Sequence, residues 1–190
     1  MTMPVVYLTK AQLDETARLL ESFAPPGDEH EGIVYWFGIE FGECAVVTTL
    51  VVPDADATNG SVRTSPEANA EAVALTIGTP LVLLGQAHSH PSEWVEHSDV
   101  DDRDTFAQWT GAISVVVPWY GRKGMHIESC GVHRHFGGRY EWIPAERVGE
   151  HLQVLHARVD LRKPRESRSR SWWLDILETP KELTRKRGNR

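Results

Sequence analysis

Residues 81–101, LVLLGQAHSHPSEWVEHSDVD, decide how the rest of the chain is read. The run from Leu81 to His88 is short and mostly apolar, and Pro91 follows it, the pattern of a strand that ends in a constrained loop. His88 and His90 stand at i and i+2 on this extended segment, so both imidazoles project to one side. Zinc takes histidine nitrogens at about 2.0–2.1 Å, and two same-side imidazoles can reach one ion. Ser98 then offers a helix cap, and Asp101 falls in the first turn behind it, where a carboxylate can supply a third ligand. Two histidines, a carboxylate and an open fourth position make a catalytic rather than a structural arrangement. His97, Asp99, Asp102 and Asp104 are alternative ligands on residue type alone.

Upstream, residues 9–23 space Leu13, Ala17, Leu20 and Phe23 at helical intervals behind Thr9, which predicts an amphipathic helix. The turn APPGDEH stops it. GIVYWFGIEF and CAVVTTLVV read as strands, and Ser65-Pro66-Glu67 caps and opens a helix running to about Ile77. VVPDADATNGSVRTS, before that helix, reads as a polar loop. Downstream, Ser98 caps a short acidic helix. AISVVVPWY, MHIESCGVHRH and GRYEWI then follow as an antiparallel meander. His133 and His135 repeat the His-x-His pattern without an acid at the matching offset, and they read as hairpin residues. Trp94, between the ligands, is placed to line a substrate groove. Pro144 opens a further helix through His156.

The 190 residues fit one domain, 1–160, followed by a basic tail, 161–190. The tail holds 10 of the 20 Lys and Arg but 4 of the 27 Asp and Glu, an excess of six positive charges. The net charge of −7 therefore leaves −13 on the body, which disfavours nucleic-acid binding there. Trp172 and Trp173 give the tail an apolar face for docking a partner. The chain has no apolar run of membrane-spanning length and no secretory leader pattern, so no membrane and a cytoplasmic localisation are expected. Cys44 and Cys130 are too few for a disulfide framework, and both read as buried, inert thiols.

His88-Ser89-His90-Pro91, six residues, Ser98, two residues, Asp101 resembles the complete motif of the JAMM, or MPN-plus (JAB-type), zinc metallopeptidases. Upstream, Glu31 to Gly38 has the spacing of that family's catalytic Glu and the Gly that ends the following strand, with Glu29 as the rival. The resemblance covers roughly residues 28–145. It implies an α/β fold, a curved mixed β-sheet flanked by helices of the JAB/MPN, cytidine-deaminase-like kind. It also implies a zinc ion held by His88, His90 and Asp101, with Glu31 as the base and Ser98 hydrogen-bonding the oxyanion or the attacking water. The implied substrate is a ubiquitin-like or sulfur-carrier protein, cleaved after its C-terminus at a peptide or isopeptide bond. The family also includes non-catalytic scaffolds and DNA-repair-associated relatives. The scaffolds have lost ligands that are all present here, and the DNA-repair relatives usually carry Asn where Ser89 stands.

Overall fold

The computed structural model describes residues 3–155. The chain divides into two units, Met1–Ala157 and Arg158–Arg190, and every described residue belongs to the first. The tail expected over 161–190, with its two tryptophans, lies outside the described residues.

Strand β1, Val5–Thr9, leads directly into helix α1, Lys10–Glu21. Thr9 serves both elements: it ends the strand in an extended conformation and closes a capping box with Gln12. The hairpin β2–β3, Ile33–Phe41 and Cys44–Val51, follows, and then a small separate hairpin, β4 Ala55–Thr58 with β5 Ser61–Thr64. Helix α2, Pro66–Ala74, starts at the expected Ser65 cap and stops earlier than expected, in turns from Leu75. Strand β6, Val82–Ser89, carries the first histidine, and the six-residue helix α3, Asp99–Asp104, carries Asp101. Strands β7 Ile113–Val117, β8 Gly131–Phe136, β9 Arg139–Trp142 and β10 Leu152–Leu155 complete the order.

Eight strands form one mixed sheet in the order β10-β1-β3-β2-β6-β7-β8-β9. Strand β1 runs parallel to both β10 and β3, and β6 runs parallel to β7, whereas the other neighbours are antiparallel. The centre of this sheet is dry on both faces, which is why β2 reads as an unbroken apolar run. Its Val34 and Trp36 pack with Leu13, Ala17 and Leu20 of α1, while Ile33, Tyr35 and Phe37 pack with Ala72 of α2. Both large polar aromatics are satisfied: Trp36 Nε1 donates to Thr16 at 3.3 Å, and the Tyr35 hydroxyl donates to Asn69 at 2.6 Å. Burying each of these side chains contributes roughly 1.5–3 kcal/mol. This is the expected curved mixed sheet with helices on its flanks.

Four local expectations are corrected. The polar loop before α2 is the β4–β5 hairpin, turned at Asn59-Gly60, so its polarity marks exposed strands rather than a coil. The helix expected from Pro144 is only a 3-10 stretch, Ala145–Glu150, because residues 152–155 find a parallel partner in β1. The strand expected from Met125 begins at Gly131, where the five residues of β7 run out of pairing length. Cys44 is exposed at the start of β3, whereas Cys130 is buried, which pushes its thiol up to about 12. Among the described residues no helix is long and apolar enough to cross a membrane.

Candidate metal centre

Strand β6 delivers His88 from its last turn-in of the ladder, and His90 follows where the chain leaves the sheet. Both are buried, at 2% and 3% exposure. Backbone bonds hold this exit on two sides: the Ser89 N–H donates to the Gly32 carbonyl at 3.0 Å and the His90 N–H to the Val117 carbonyl at 2.9 Å. The Ser89 hydroxyl accepts the Gly32 N–H at 2.9 Å, so the residue between the histidines locks their strand to β2.

Asp101 comes from α3. Ser98 caps this helix, its hydroxyl accepting the Asp101 N–H at 3.2 Å, while Asp101 Oδ2 accepts the Ser98 N–H at 2.7 Å and its hydroxyl at 2.8 Å. The carboxylate is thereby aimed inward. Oδ1 stands 3.5 Å from His88 Nε2 and Oδ2 stands 3.4 Å from His90 Nε2. One ligand atom from each of the three residues lies within 4.8 Å of the others. Three such atoms, two imidazole nitrogens and a carboxylate oxygen, form a donor set of the kind that holds a divalent metal ion.

The proton bookkeeping agrees. The His90 Nδ1–H donates to the Trp94 carbonyl at 2.9 Å, which leaves Nε2 as the lone-pair nitrogen facing Asp101. The exposed Trp94 ring also stacks on His90 at 5.1 Å. Both ring nitrogens of His88 are buried without a hydrogen-bond partner, and a metal ion would satisfy one of them, Nε2, which faces Asp101. Burial alone would raise the Asp101 carboxyl, but His88, His90 and the Ser98 N–H beside it hold it well below the usual carboxylate range.

Glu31 is 4% exposed and sits opposite His90, since Ile33 pairs with His88 and the two chains run on antiparallel. Burial pushes its carboxyl up to about 7, with His90 opposing and Asp101 adding to the rise. Its rival Glu29 turns away into a half-exposed pair with Arg122 at 3.0 Å. The structure thus brings together His88, His90, Asp101 and Glu31, with Ser98 bonded to Asp101. Of the alternative ligands, Asp104 pairs with Arg63 at 2.8 Å, and Asp102 bonds to His97 at 2.8 Å.

Several supporting residues carry no sequence motif. Gly131 lets the loop between the ligands lie on β8: a Cβ there would stand 1.8 Å from the Val95 carbonyl oxygen. Trp119 and Tyr120 take left-handed backbone angles, φ 58° and 55°, a strained state that costs about 1–3 kcal/mol per residue. Their N–H groups donate to the Ser92 and His90 carbonyls at 3.1 and 2.9 Å, so the strained turn braces the metal loop from below. Behind His88 lies a second imidazole layer, in which His97 stacks on His133 at 4.0 Å. Burial, with its histidine neighbours, holds His97 down to about 2 and His133 to about 4. The alternation of His133 and His135 was the one visible signal of this layer.

No known family model matches the chain. It is similar to a probable metalloprotease of Sinorhizobium fredii, 28% identical over 118 residues that span 55% of this chain and 67% of that protein. Its fold is shared with a protein of Desulfitobacterium hafniense, at a TM-score of 0.61 and 18% identity over 80% of this chain and 94% of the other. A JAB1/MPN domain protein of Archaeoglobus fulgidus matches at a TM-score of 0.43 and 17% identity, over 82% and 99% of the two chains. The His-His-Asp pattern of the sequence converges on one buried point, and the relative that the chain resembles in sequence is a probable metalloprotease.

Proposed function

We propose that the chain is a zinc peptidase that hydrolyses the peptide or isopeptide bond following the C-terminus of a ubiquitin-like or sulfur-carrier protein. The observation that carries the hydrolytic reading is the pairing of a buried carboxylate, Glu31, with a buried His-His-Asp cluster. A buried carboxyl that burial raises to about 7, set beside the His-His-Asp cluster, suits a general base working near neutral pH.

When bound, zinc supplies Lewis-acid polarisation of the scissile carbonyl and makes water acidic near neutral pH. The chain's own residues do the rest. His88, His90 and Asp101 hold the ion. The Glu31 carboxylate accepts the proton of the attacking water and passes it to the leaving amine, so no covalent intermediate with the protein is required. Ser98 spends its hydroxyl hydrogen on Asp101 in the resting site, and it contributes to the oxyanion by turning that donor toward the substrate.

The substrate reading rests on the family resemblance and on the β4–β5 hairpin. The Thr58 carbonyl accepts the Glu31 N–H at 2.7 Å, and Arg63 of the hairpin pairs with Asp104 of α3. An exposed two-stranded ribbon tied to the base and to the metal helix offers a backbone edge on which an extended C-terminal tail can add as a strand. The basic residues 161–190 provide a further place to dock a protein partner in the cytoplasm. The test is zinc analysis of the full chain, followed by cleavage of ubiquitin-like fusions and of plain peptides. Zinc-loaded protein that cuts neither would end the peptidase reading.

A further inference from the structure

Helix α3 is the weakest part of the metal site. Six residues are too few for a helix to sustain itself, and Asp99, Asp101, Asp102 and Asp104 crowd like charge along it. Its ion pair with Arg63 is on the surface, where such a contact contributes little. Asp101 must nevertheless be held to about half an ångström if it is to serve as a ligand.

His97 immediately precedes the cap, and its side chain is 3% exposed. Its Nδ1 lies 2.8 Å from Asp102 Oδ1, and its Nε2 lies 2.9 Å from the Ser114 hydroxyl. A carboxylate only accepts, so Nδ1 carries the proton and Nε2 receives the Ser114 hydroxyl hydrogen. Ser114 is fully buried on β7, the parallel neighbour of the strand that carries His88. One ring therefore bolts α3 to the interior of the sheet. The ring is held flat by His133 at 4.0 Å and flanked by Tyr140 at 4.9 Å, and the His97 N–H donates to His133 Nε2 at 3.3 Å. Both hydrogen bonds and the stack converge on the residue just before the Ser98 cap of α3.

We propose that His97 is a positioning residue for the metal: clamped between Asp102 and Ser114, it holds α3 so that Asp101 stands at ligand distance from His88 and His90. This rests on the zinc-site reading above, and it assigns the histidine layer a task outside the ligand set.

The test measures zinc affinity of the full chain by competition with a chromogenic chelator, beside thermal melting of the zinc-free protein. His97→Phe keeps the ring and the stack but loses both nitrogens. It is expected to weaken zinc binding about 10–100-fold, the cost of losing the two hydrogen bonds that tie α3 to the sheet, and excess zinc should restore its turnover. Ser114→Ala removes one donor and should weaken binding about 3–10-fold. Asp102→Asn keeps an acceptor oxygen for Nδ1–H and should stay close to wild type. Unchanged zinc affinity in His97→Phe overturns the proposal, and if that variant does not fold, unchanged affinity in Ser114→Ala overturns it. Wild-type protein that binds no zinc sinks the metal site and this inference together. Wild-type protein that binds zinc but cuts nothing sinks only the peptidase reading.

Discussion

Glu31 and His90 face each other just beyond the last paired residues of β2 and β6, so the proposed base and a candidate metal ligand are held by one antiparallel ladder. The Ser89–Gly32 bonds continue that ladder between them and leave little freedom for either side chain to drift. The arrangement is costly to the fold. A carboxyl buried against Asp101 resists ionisation, and its folded value of about 7 exceeds its ordinary value of 4.5.

The sign of that cost gives the first prediction. Because the folded pKa is raised, the native state binds more protons than the unfolded state between about 4.5 and 7, and stability falls as pH rises through that window. Glu31→Gln removes the ionisable group at nearly constant volume. Zinc-free Glu31→Gln should melt with wild type at pH 4 to 5 and exceed it at pH 8 by up to about 3 kcal/mol. Equal melting at both pH values would show that Glu31 ionises freely in the fold.

The same variant should lose hydrolysis. An amide cannot take the proton of the attacking water, and general-base removal costs about 100- to 10,000-fold in rate. Zinc content should remain at the wild-type level, since Glu31 is outside the ligand set. Turnover within tenfold of wild type would move the base elsewhere, with Glu29 the first alternative to substitute.

His88→Ala and His90→Ala should each weaken zinc binding by more than about 100-fold, beyond what the loss of an outer partner costs. His90→Ala also loses the stack on Trp94, whose fluorescence therefore offers a second readout. Stoichiometric zinc in both variants after dialysis against a weak chelator would refute the site.

Gly131→Ala tests a contact that no motif announces. The added methyl would stand 1.8 Å from the Val95 carbonyl oxygen, which is backbone and cannot rotate aside. Destabilisation of about 3 kcal/mol and weaker zinc binding are expected as the loop between the ligands lifts. Gly149→Ala, where an added Cβ meets nothing within 4 Å, is the matched control and should change stability by less than about 0.5 kcal/mol. Equal melting temperatures for the two variants would contradict the packing described here.

Shortening the β4–β5 hairpin, by replacing residues 56–63 with a two-residue turn, should separate recognition from chemistry. Cleavage of a protein substrate should fall at least tenfold, while hydrolysis of a small peptide changes much less. An equal loss for both substrates would instead make the hairpin part of the support for Glu31, to which it is bonded through Thr58.

The candidate metal site is the most local part of this protein, and its grouping of side chains was the most legible. His88 and His90 share a side because a strand alternates, Asp101 follows a cap that Ser98 announces, and all three lie within 14 residues. Helix α1 and the apolar strands β2 and β6 were legible for the same reason: period and capping are properties of neighbouring residues. Glu31 was reachable only through resemblance, because nothing near it shows that it will be 4% exposed and opposite His90. The parallel pairing of β10 with β1 joins residues about 145 positions apart, so Leu152–Leu155 looked like the end of a helix until its partner was in place. Gly131 beneath Val95, the strained turn under His90 and the clamp of His97 between α3 and β7 were likewise decided by tertiary structure. The sequence by itself determined which atoms could bind an ion. Which of them are buried, oriented and braced depends on packing between distant segments, whose energies are set by shape and desolvation and leave no period along the chain.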